Sequence, residues 1–512
     1  MRLFTNAAEM RSVPRSAEFR NGGVSFWYRE FGYPERRAAL SETRDYDVCI
    51  VGGGYTGLWI AYYLQHADPG LRIALLEREF CGFGASGRNA GWLSAQFVGS
   101  RERYARMYSK GAAIALQRAL MSTVDEVIKV AGNEGIDADI VKGGMRLVAT
   151  NTAQRNRLYA EVGYLQEWGF WPEDLHLLDH TYTPRLRVAG AVAAARSPHA
   201  ARFQPARLAV GLATVVEDLG VHIFEGSTVT EIRPADGGTR PSVVTDHGMV
   251  RADHVIQATE GYPVGARGQG REWRPARSSM IVTEPLANDL WDHIGWDGCD
   301  VLGDTAHASV QAQRTADGRI AIGGRDTPSR IGSAPEDRGA TEPRTIADLW
   351  RALARMFPAA AEVPVAHAWS GVLGVARDGC PSVDLDRDTG VGWAGGYAGN
   401  GVTAANLAGR TLRDILLGHD TELTRLPWVG HRARAWQPEP WRRVGTQIVN
   451  GLYRTADRRE SGRVTRTSRF AGLAARMAGW RITEPQPRAR VPSGPDHPGS
   501  LGEAPPDTAQ SE

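Results

Sequence analysis

The apolar positions of this chain fall into short runs and helical stripes that alternate along most of its length. Residues 45–51 (Asp-Tyr-Asp-Val-Cys-Ile-Val) close on an apolar run suited to a buried parallel strand. The chain breaks into glycines and resumes as Leu58-Trp59-Ile60-Ala61-Tyr62-Tyr63-Leu64, which predicts a buried helix. After a turn at Asp68-Pro69-Gly70, a second apolar run ends on Glu77. Residues 102–135 carry one apolar helical face through Ala113, Leu116, Leu120, Val124 and Val127. Residues 142–149 predict a turn entering a strand, and 152–168 and 203–219 predict helices. Short strands follow at 221–225, 229–232 and 253–259. Strand runs at 280–283, 309–313 and 319–322 are punctuated by the hairpin turn Ala316-Asp317-Gly318. Helix returns at 341–357, and 391–403 reads as a strand, a glycine-rich turn and the start of a helix running to 417.

The first break has chemical content. Gly52, Gly54 and Gly57 satisfy G-x-G-x-x-G around Tyr55 and Thr56, with a strand before and a helix after. Such glycines permit a tight turn, close approach of a pyrophosphate, and close packing of helix on strand. The helix start offers N–H groups and a partial positive charge to the phosphates. Glu77 stands about 20 residues further on, where an acid bonds the ribose hydroxyls of a dinucleotide.

Composition narrows the remaining classes. The 512 residues suggest two or three domains, and 42% hydrophobic with 23% charged residues are globular values. No apolar stretch approaches the ~18 residues of a spanning helix, and the N-terminus lacks the apolar core of a signal peptide. A cytoplasmic protein is expected. The four cysteines (Cys49, Cys81, Cys299, Cys380) are scattered without C-x-x-C, against an iron–sulfur cluster or structural zinc, and no metal site is expected. A net charge of +2 makes no case for nucleic acid. Only three basic residues are lysines (Lys110, Lys129, Lys142), which restricts lysine chemistry. Residues 431–481 hold twelve arginines against three acids. A solvated helical face is expected there, the other reading being weak contact with a membrane surface or an acidic partner. The Pro-, Gly- and Ser-rich tail 483–512 is expected to be disordered.

A second small-residue loop follows Glu77 and Arg78: Gly82-Phe83-Gly84-Ala85-Ser86-Gly87-Arg88-Asn89-Ala90-Gly91. A third segment is Gly395-Gly396-Tyr397-Ala398-Gly399-Asn400-Gly401-Val402-Thr403. With the strand ending Ala258-Thr259-Glu260-Gly261-Tyr262, these make the chain resemble the D-amino acid oxidase family of flavoproteins, over roughly residues 40–425. The resemblance implies an α/β fold in which a Rossmann-like FAD-binding domain (45–110, 195–265, 365–425) is interleaved with a substrate domain (111–194, 266–364). That second domain is built on a mainly antiparallel sheet with helices. Residues 1–44 would be an arm across the body, and 426–482 a basic extension. The second loop would run beside the flavin, and the third would close over its pyrimidine end. Val229, Ala258, Thr259 and Gly371 are implied as further cofactor contacts.

The resemblance also implies oxidation of a C–N bond by hydride transfer to flavin. The imine would then be hydrolysed and the electrons passed to O2 or another acceptor. Positioning and electrostatics fall to the protein. Substrate-side candidates are His307, Gln311, Gln313, Arg325, His367, Trp369, Tyr397 and Asn400, with His307, Trp369 and Asn400 the expected catalytic contacts. The residues that carry covalent flavin in other branches would fall near Gly371 and Asn89, so non-covalent FAD is implied. A carboxylate-binding lysine known in one branch corresponds to Thr403, and an oxygen-activating lysine to Ala321. Two other classes stay open: a flavin dehydrogenase of a 2-hydroxy acid using another acceptor, and a non-catalytic flavoprotein or interaction protein.

Overall fold

The structure is a computed structural model describing residues 12–178, 186–262, 272–327, 338–437, 441–460 and 465–478, with the side chains of 325–327 and of Arg443 outside the description. The tail 483–512 and the Arg325 side chain therefore lie outside the described residues.

The glycine-flanked run becomes the strand Val48–Val51, buried at every position. It sits within a six-stranded sheet in the order His222–Phe224, Ile73–Leu76, Val48–Val51, His254–Gln257, Val391–Gly395, Ser382–Asp386. The first five strands are parallel, and the last pairs antiparallel at the edge. Burial on both faces explains why the central strands Val48–Val51 and Ile73–Leu76 are uniformly apolar rather than alternating. The helices Tyr55–Ala67 and Gly401–Leu416 pack on each other within the largest core. Gly409 permits that contact, since a Cβ there would stand 2.9 Å from the Trp59 backbone.

The second body is a nine-stranded sheet. Its order is Arg15–Asn21, Val365–Ala376, Trp273–Thr283, Ile320–Thr327, Val310–Arg314, Val301–Asp304, Met145–Ala149, Ala193–Ser197, His176–Leu177. Pairing is antiparallel except at Arg15–Asn21 with Val365–Ala376, and at Val301–Asp304 with Met145–Ala149. The mixed α/β class with a mainly antiparallel second sheet thus agrees with the sequence pattern. The short runs at 280–283 and 319–322 are parts of longer strands, because each is paired on both sides. The amphipathic helix Pro343–Met356 covers one face through Ile346, Leu349 and Leu353.

Both ends of the described chain are bound to this frame. The N-terminal arm adds the strand Arg15–Asn21 at one sheet edge, and the helix Phe26–Phe31 buries Phe26, Trp27 and Tyr28. At the other end, the helices Trp441–Glu460 and Arg469–Ala478 bury Ala456, Ala471, Ala474 and Ala475. A solvated face is therefore only half of this extension. Its anchor is Glu460, whose side chain is 1% exposed. Glu460 pairs with Arg157 at 2.6 Å, bonds His307 Nε2 at 2.9 Å and accepts the Ser468 N–H at 2.7 Å. Asp457 accepts the backbone N–H groups of His307 and Ala308, each at 2.9 Å. No helix among the described residues is long and apolar enough to cross a membrane.

Burial opposes ionisation of Glu460, but the bonds from His307, the Ser468 N–H and Arg157 outweigh it and bring the carboxyl down to about 2. A depressed carboxyl pKa contributes stability that is complete above its ordinary value of 4.5 and is lost as pH falls through about 2. Glu460→Ala leaves Arg157 buried and uncompensated, a loss of ~3–5 kcal/mol. The expected outcome is release of the C-terminal helices, read as new tryptic cleavage within 441–478 under conditions where the unaltered protein is protected. Unchanged protection would contradict the anchoring role.

Candidate active site

The site is built on the turn between Val48–Val51 and Tyr55–Ala67. Gly52 adopts φ +112°, and a Cβ there would lie 2.6 Å from the Ala258 carbonyl oxygen. A Cβ on Gly57 would collide with the Gly52 carbonyl oxygen. Gly54 opens the helix without any side-chain cap. The motif glycines thus serve close backbone approach, and the N-cap glycine supplies no side-chain cap to a helix start whose Tyr55 N–H is taken by Ser86.

The second loop is pressed against that helix start. Ser86 Oγ accepts the Tyr55 N–H at 2.8 Å, and Asn89 Nδ2 donates to the Ser86 carbonyl at 2.6 Å. Asn89 Oδ1 also accepts the Gly91 N–H at 2.8 Å. The buried Arg88 turns away from the turn, donating to the Phe83 carbonyl at 2.7 Å and to the Ser370 carbonyl at 3.1 Å. Gly371 lets the sheet approach, since a Cβ there would stand 3.3 Å from Arg88 Cβ and 3.8 Å from Ala85 Cα. The N-terminal arm holds the loop from outside: Ser25 Oγ donates to the Gly87 carbonyl at 2.7 Å and Trp27 Nε1 to the Asn89 carbonyl at 2.9 Å. From the roof, Gln313 Nε2 donates to the Ala90 carbonyl at 2.8 Å.

The third segment closes the ring. Gly399 takes φ +102°, and the helix Gly401–Leu416 again begins without a side-chain cap. Val402 and Thr403 lie in its first turn, where Thr403 Oγ1 donates to the Ser94 carbonyl at 2.8 Å. Asn400 Nδ2 donates to the Phe97 carbonyl at 3.1 Å, and the Thr56 hydroxyl lies 3.4 Å from Tyr397 OH. Ala258 and Thr259 follow the strand beside Gly52, and Val229 opens a strand two residues after Ser227, whose N–H donates to the Glu77 carbonyl at 2.9 Å. The Arg78 guanidinium stands 5.5 Å over the Tyr262 ring.

Two acids organise the electrostatics. Glu77 accepts the Gly53 N–H at 2.8 Å and the Glu79 N–H at 2.9 Å. Burial pushes its carboxyl up, against those two bonds, which favour the carboxylate. Glu260 was not singled out by sequence. At φ +48° its carboxylate accepts the N–H groups of Gly374 (3.0 Å), Gly396 (3.2 Å) and Tyr397 (3.2 Å), tying its own turn to the strand Val365–Ala376 and to the third segment. Burial pushes it up to about 7, against the same three bonds. Its tie depends on a backbone conformation that residue type does not disclose, which is why the sequence carried no signal for it.

The substrate-side candidates separate. Trp369 is fully buried, with Nε1 donating to the Arg88 carbonyl at 2.9 Å and its ring packed against Phe26, Trp27 and His367. This is a bracing position behind the second loop rather than a substrate contact. His307 stands apart from the cradle, bound to Glu460 and stacked 5.9 Å from Tyr453. His367 Nε2 donates to the Gly22 carbonyl at 2.6 Å, and burial pushes its pKa down to about 4. Tyr397 is buried against Thr56. Gln311 remains half-buried on the face of the roof that also carries Gln313. Two clusters of the described residues have metal-ligating types, Asp378–Cys380–His431 and His307–Asp457–Glu460. An arginine competes for the carboxylates of each: Arg103 at 3.7 Å from Asp378, and Arg157 at 2.6 Å from Glu460.

Two uncapped helix starts, an acid closing the second strand and a small-residue loop between them fit a flavin dinucleotide beneath an antiparallel roof. That combination defines a flavin-dependent oxidoreductase. Residues 47–415 match the DAO family, described as FAD dependent oxidoreductase, and the chain belongs to it. It is 30% identical over 386 residues to gamma-glutamylputrescine oxidoreductase of Escherichia coli (strain K12), covering 74% of this chain and 85% of that protein. Glycine oxidase of Geobacillus kaustophilus (strain HTA426) is 26% identical over 398 residues, covering 75% of this chain and 97% of that one. The glycine oxidase crystal structure from Geobacillus kaustophilus has the same fold, with a TM-score of 0.60 at 21% identity over 76% of this chain and 99% of that one. L-proline dehydrogenase from P.horikoshii gives 0.61 at 17% identity, over 75% and 96%.

Glu77→Ala removes the brace of Gly53 and, with it, the bond expected to the ribose of FAD. Loss of a charge-assisted bond of ~1.5–3 kcal/mol corresponds to roughly 10- to 150-fold weaker FAD retention. Flavin absorbance per protein after matched dialysis is the measurement, and equal occupancy in the two proteins would overturn the assignment.

Proposed function

We propose that this protein oxidises the C–N bond of an amine or amino-acid-like substrate bound between the cradle and the nine-stranded roof, with O2 as the electron acceptor. The observation that carries the reading is the inner face of the roof. Gln311 pairs across the strands with Gly303 on one side and Gly323 on the other, so one half-buried amide is flanked by two positions without side chains. That arrangement offers one polar handle among apolar side chains, since Leu147 and Trp92 fill the place beside Gly303 and Met280 the place beside Gly323, on the roof over the second and third cofactor segments, which Gln313 and Thr403 hold in place. The names of the relatives (an oxidoreductase of gamma-glutamylputrescine, a glycine oxidase, an L-proline dehydrogenase) support a nitrogen-bearing substrate.

In this reading Gly52, Gly54, Gly57 and Ser86 present the turn to the pyrophosphate, and Glu77 takes the ribose hydroxyls. Ala85, Gly87, Asn89, Ala90 and Gly91 line the flavin edge, and Gly399, Asn400, Gly401, Val402 and Thr403 hold its pyrimidine end. Val229, Ala258, Thr259 and Arg78 stand at the adenosine side, and Gly371 brings the roof close. Bound FAD, held without a covalent link, supplies a two-electron acceptor for the hydride of the carbon beside the substrate nitrogen. Gln311 orients the substrate, while Trp369 and Glu260 fix the surrounding loops. Water then cleaves the imine. Overall, amine, oxygen and water give a carbonyl compound, the free amine and hydrogen peroxide.

Ala321 is fully buried among Met280, Val282 and Trp369, so no cation stands at that position to stabilise developing superoxide. Modest oxygen reactivity follows. The test is anaerobic bleaching of the purified yellow protein against a panel of amines and amino acids, then stopped-flow mixing with oxygenated buffer. Bleaching by an amine, with peroxide formed over seconds, is expected. Bleaching by 2-hydroxy acids alone would overturn the amine reading. Reoxidation taking minutes, with instant recovery on adding a quinone, would overturn O2 as acceptor. Acid precipitation is expected to leave the pellet colourless, and a yellow pellet would contradict non-covalent FAD.

A further inference from the structure

A cavity of about 1620 Å3 lies between the roof, the helix Pro343–Met356 and the C-terminal helix Trp441–Glu460. Its composition is unlike that of the chain. The whole sequence holds 60 basic and 58 acidic residues, yet the cavity is lined by eleven arginines and only four carboxylates. Preference for arginine over lysine explains the residue type but not this excess of one sign. Carboxylates of the lining are already engaged: Asp348 with Arg351 at 2.8 Å, Asp378 with His431 at 3.0 Å, and Asp457 with the N–H groups of His307 and Ala308.

The arginines arrive from separate elements: Arg355 from the helix Pro343–Met356, Arg377 after the strand Val365–Ala376, Arg434 from the following segment and Arg454 from Trp441–Glu460. A cavity lined by one sign of charge focuses its field and concentrates ligands of the other sign. Trp436 adds an apolar wall, with the Arg274 guanidinium 5.4 Å over its ring. The volume exceeds the ~300–1,000 Å3 of sites for drug-sized ligands, so an elongated molecule fits. The inner end reaches Leu373 and Ala398. Ala398 immediately precedes Gly399, and its N–H donates to the Gly374 carbonyl at 3.1 Å, so the chamber abuts the third cofactor segment. Its outer wall, the helix Trp441–Glu460, lies beyond the stretch 47–415 matched by the family.

We propose that this chamber is an anion-binding antechamber that selects an amine substrate carrying two or more carboxylate or phosphate groups. The inference rests on the amine-oxidising reading for the word substrate, while the binding of a polyanion stands on the chamber alone. The arginines hold the anionic groups while the amine end reaches toward Leu373 and Ala398. Each charge-assisted or bidentate contact with arginine favours a carboxylate or phosphate over a neutral group.

The test is calorimetric titration of the FAD-loaded full-length protein with citrate, inorganic pyrophosphate and acetate. The expected result is one site per chain, with citrate or pyrophosphate at least tenfold tighter than acetate and weakening steadily as NaCl rises. Whichever of the two binds tighter distinguishes carboxylate from phosphate. In an Arg355→Gln, Arg454→Gln double variant of matched flavin content and circular dichroism, that binding weakens tenfold or more. With amines that bleach the flavin, the variant's loss falls on KM rather than kcat, and is larger for substrates with two anionic groups than with one. The salt series on the unaltered enzyme is independent of whether the variant folds. Polyanions binding no tighter than acetate, or binding that survives the double substitution, would overturn the chamber and leave amine oxidation standing. Arginine-dependent polyanion binding without bleaching by any amine supports the chamber and overturns the catalytic reading instead.

Discussion

Everything at this site depends on how closely two backbones approach at the glycine turn. The Gly52 carbonyl and the Gly57 Cα share a space that admits no side chain, and Gly52 itself lies against the Ala258 carbonyl. This contact sets the angle at which the helix Tyr55–Ala67 leaves the sheet, and so where its uncapped N–H groups point. The other segments are referred to that helix. The second loop reaches it through Ser86, and the third through Tyr397 beside Thr56. A methyl group at residue 57 would therefore disturb the whole cradle, not one turn.

Legibility of the sequence follows the range of the forces involved. The glycine motif, the buried strands and the uncapped helix starts were readable because their requirements are local: a positive φ, an apolar run, a missing cap. Trp369 was not readable in the same way. Its neighbours Phe26 and Trp27 come from an arm hundreds of residues earlier, and only their packing shows that the indole braces the Arg88 carbonyl. His307 is a parallel case, since its partner Glu460 lies 153 residues away in an extension whose composition suggested a solvated face. Glu260 escaped notice for a third reason: its tie to the strand Val365–Ala376 and to the third segment depends on φ +48°.

The roof divides its labour by strand alternation. Along Val310–Arg314, Val310 and Ala312 enter the core beneath the helix Pro343–Met356, while Gln311 and Gln313 face the other way. One register therefore serves stability and function at once. Gln313 holds the Ala90 carbonyl, and Gln311, paired with Gly303 and Gly323, is the half-buried amide of the same face. A slip of one residue would exchange these faces, placing amides in the core and valine over the cofactor segments.

The C-terminal extension completes that division in electrostatic terms. The cradle itself uses neutral backbone donors and buried acids, whose charge is offset by N–H groups rather than by arginines: Glu77 by Gly53 and Glu79, Glu260 by Gly374, Gly396 and Tyr397. Beyond Arg78 and the buried Arg88, cationic charge is collected outside, in the chamber lined by the helix Trp441–Glu460. Charge in a solvent-facing chamber acts mainly on capture and selection. The family fold thus supplies a redox platform, and in the proposed reading specificity is added by elements packed around it. Glu460 is where the two meet, because the same carboxylate that docks the extension also neutralises Arg157, one of the chamber's arginines.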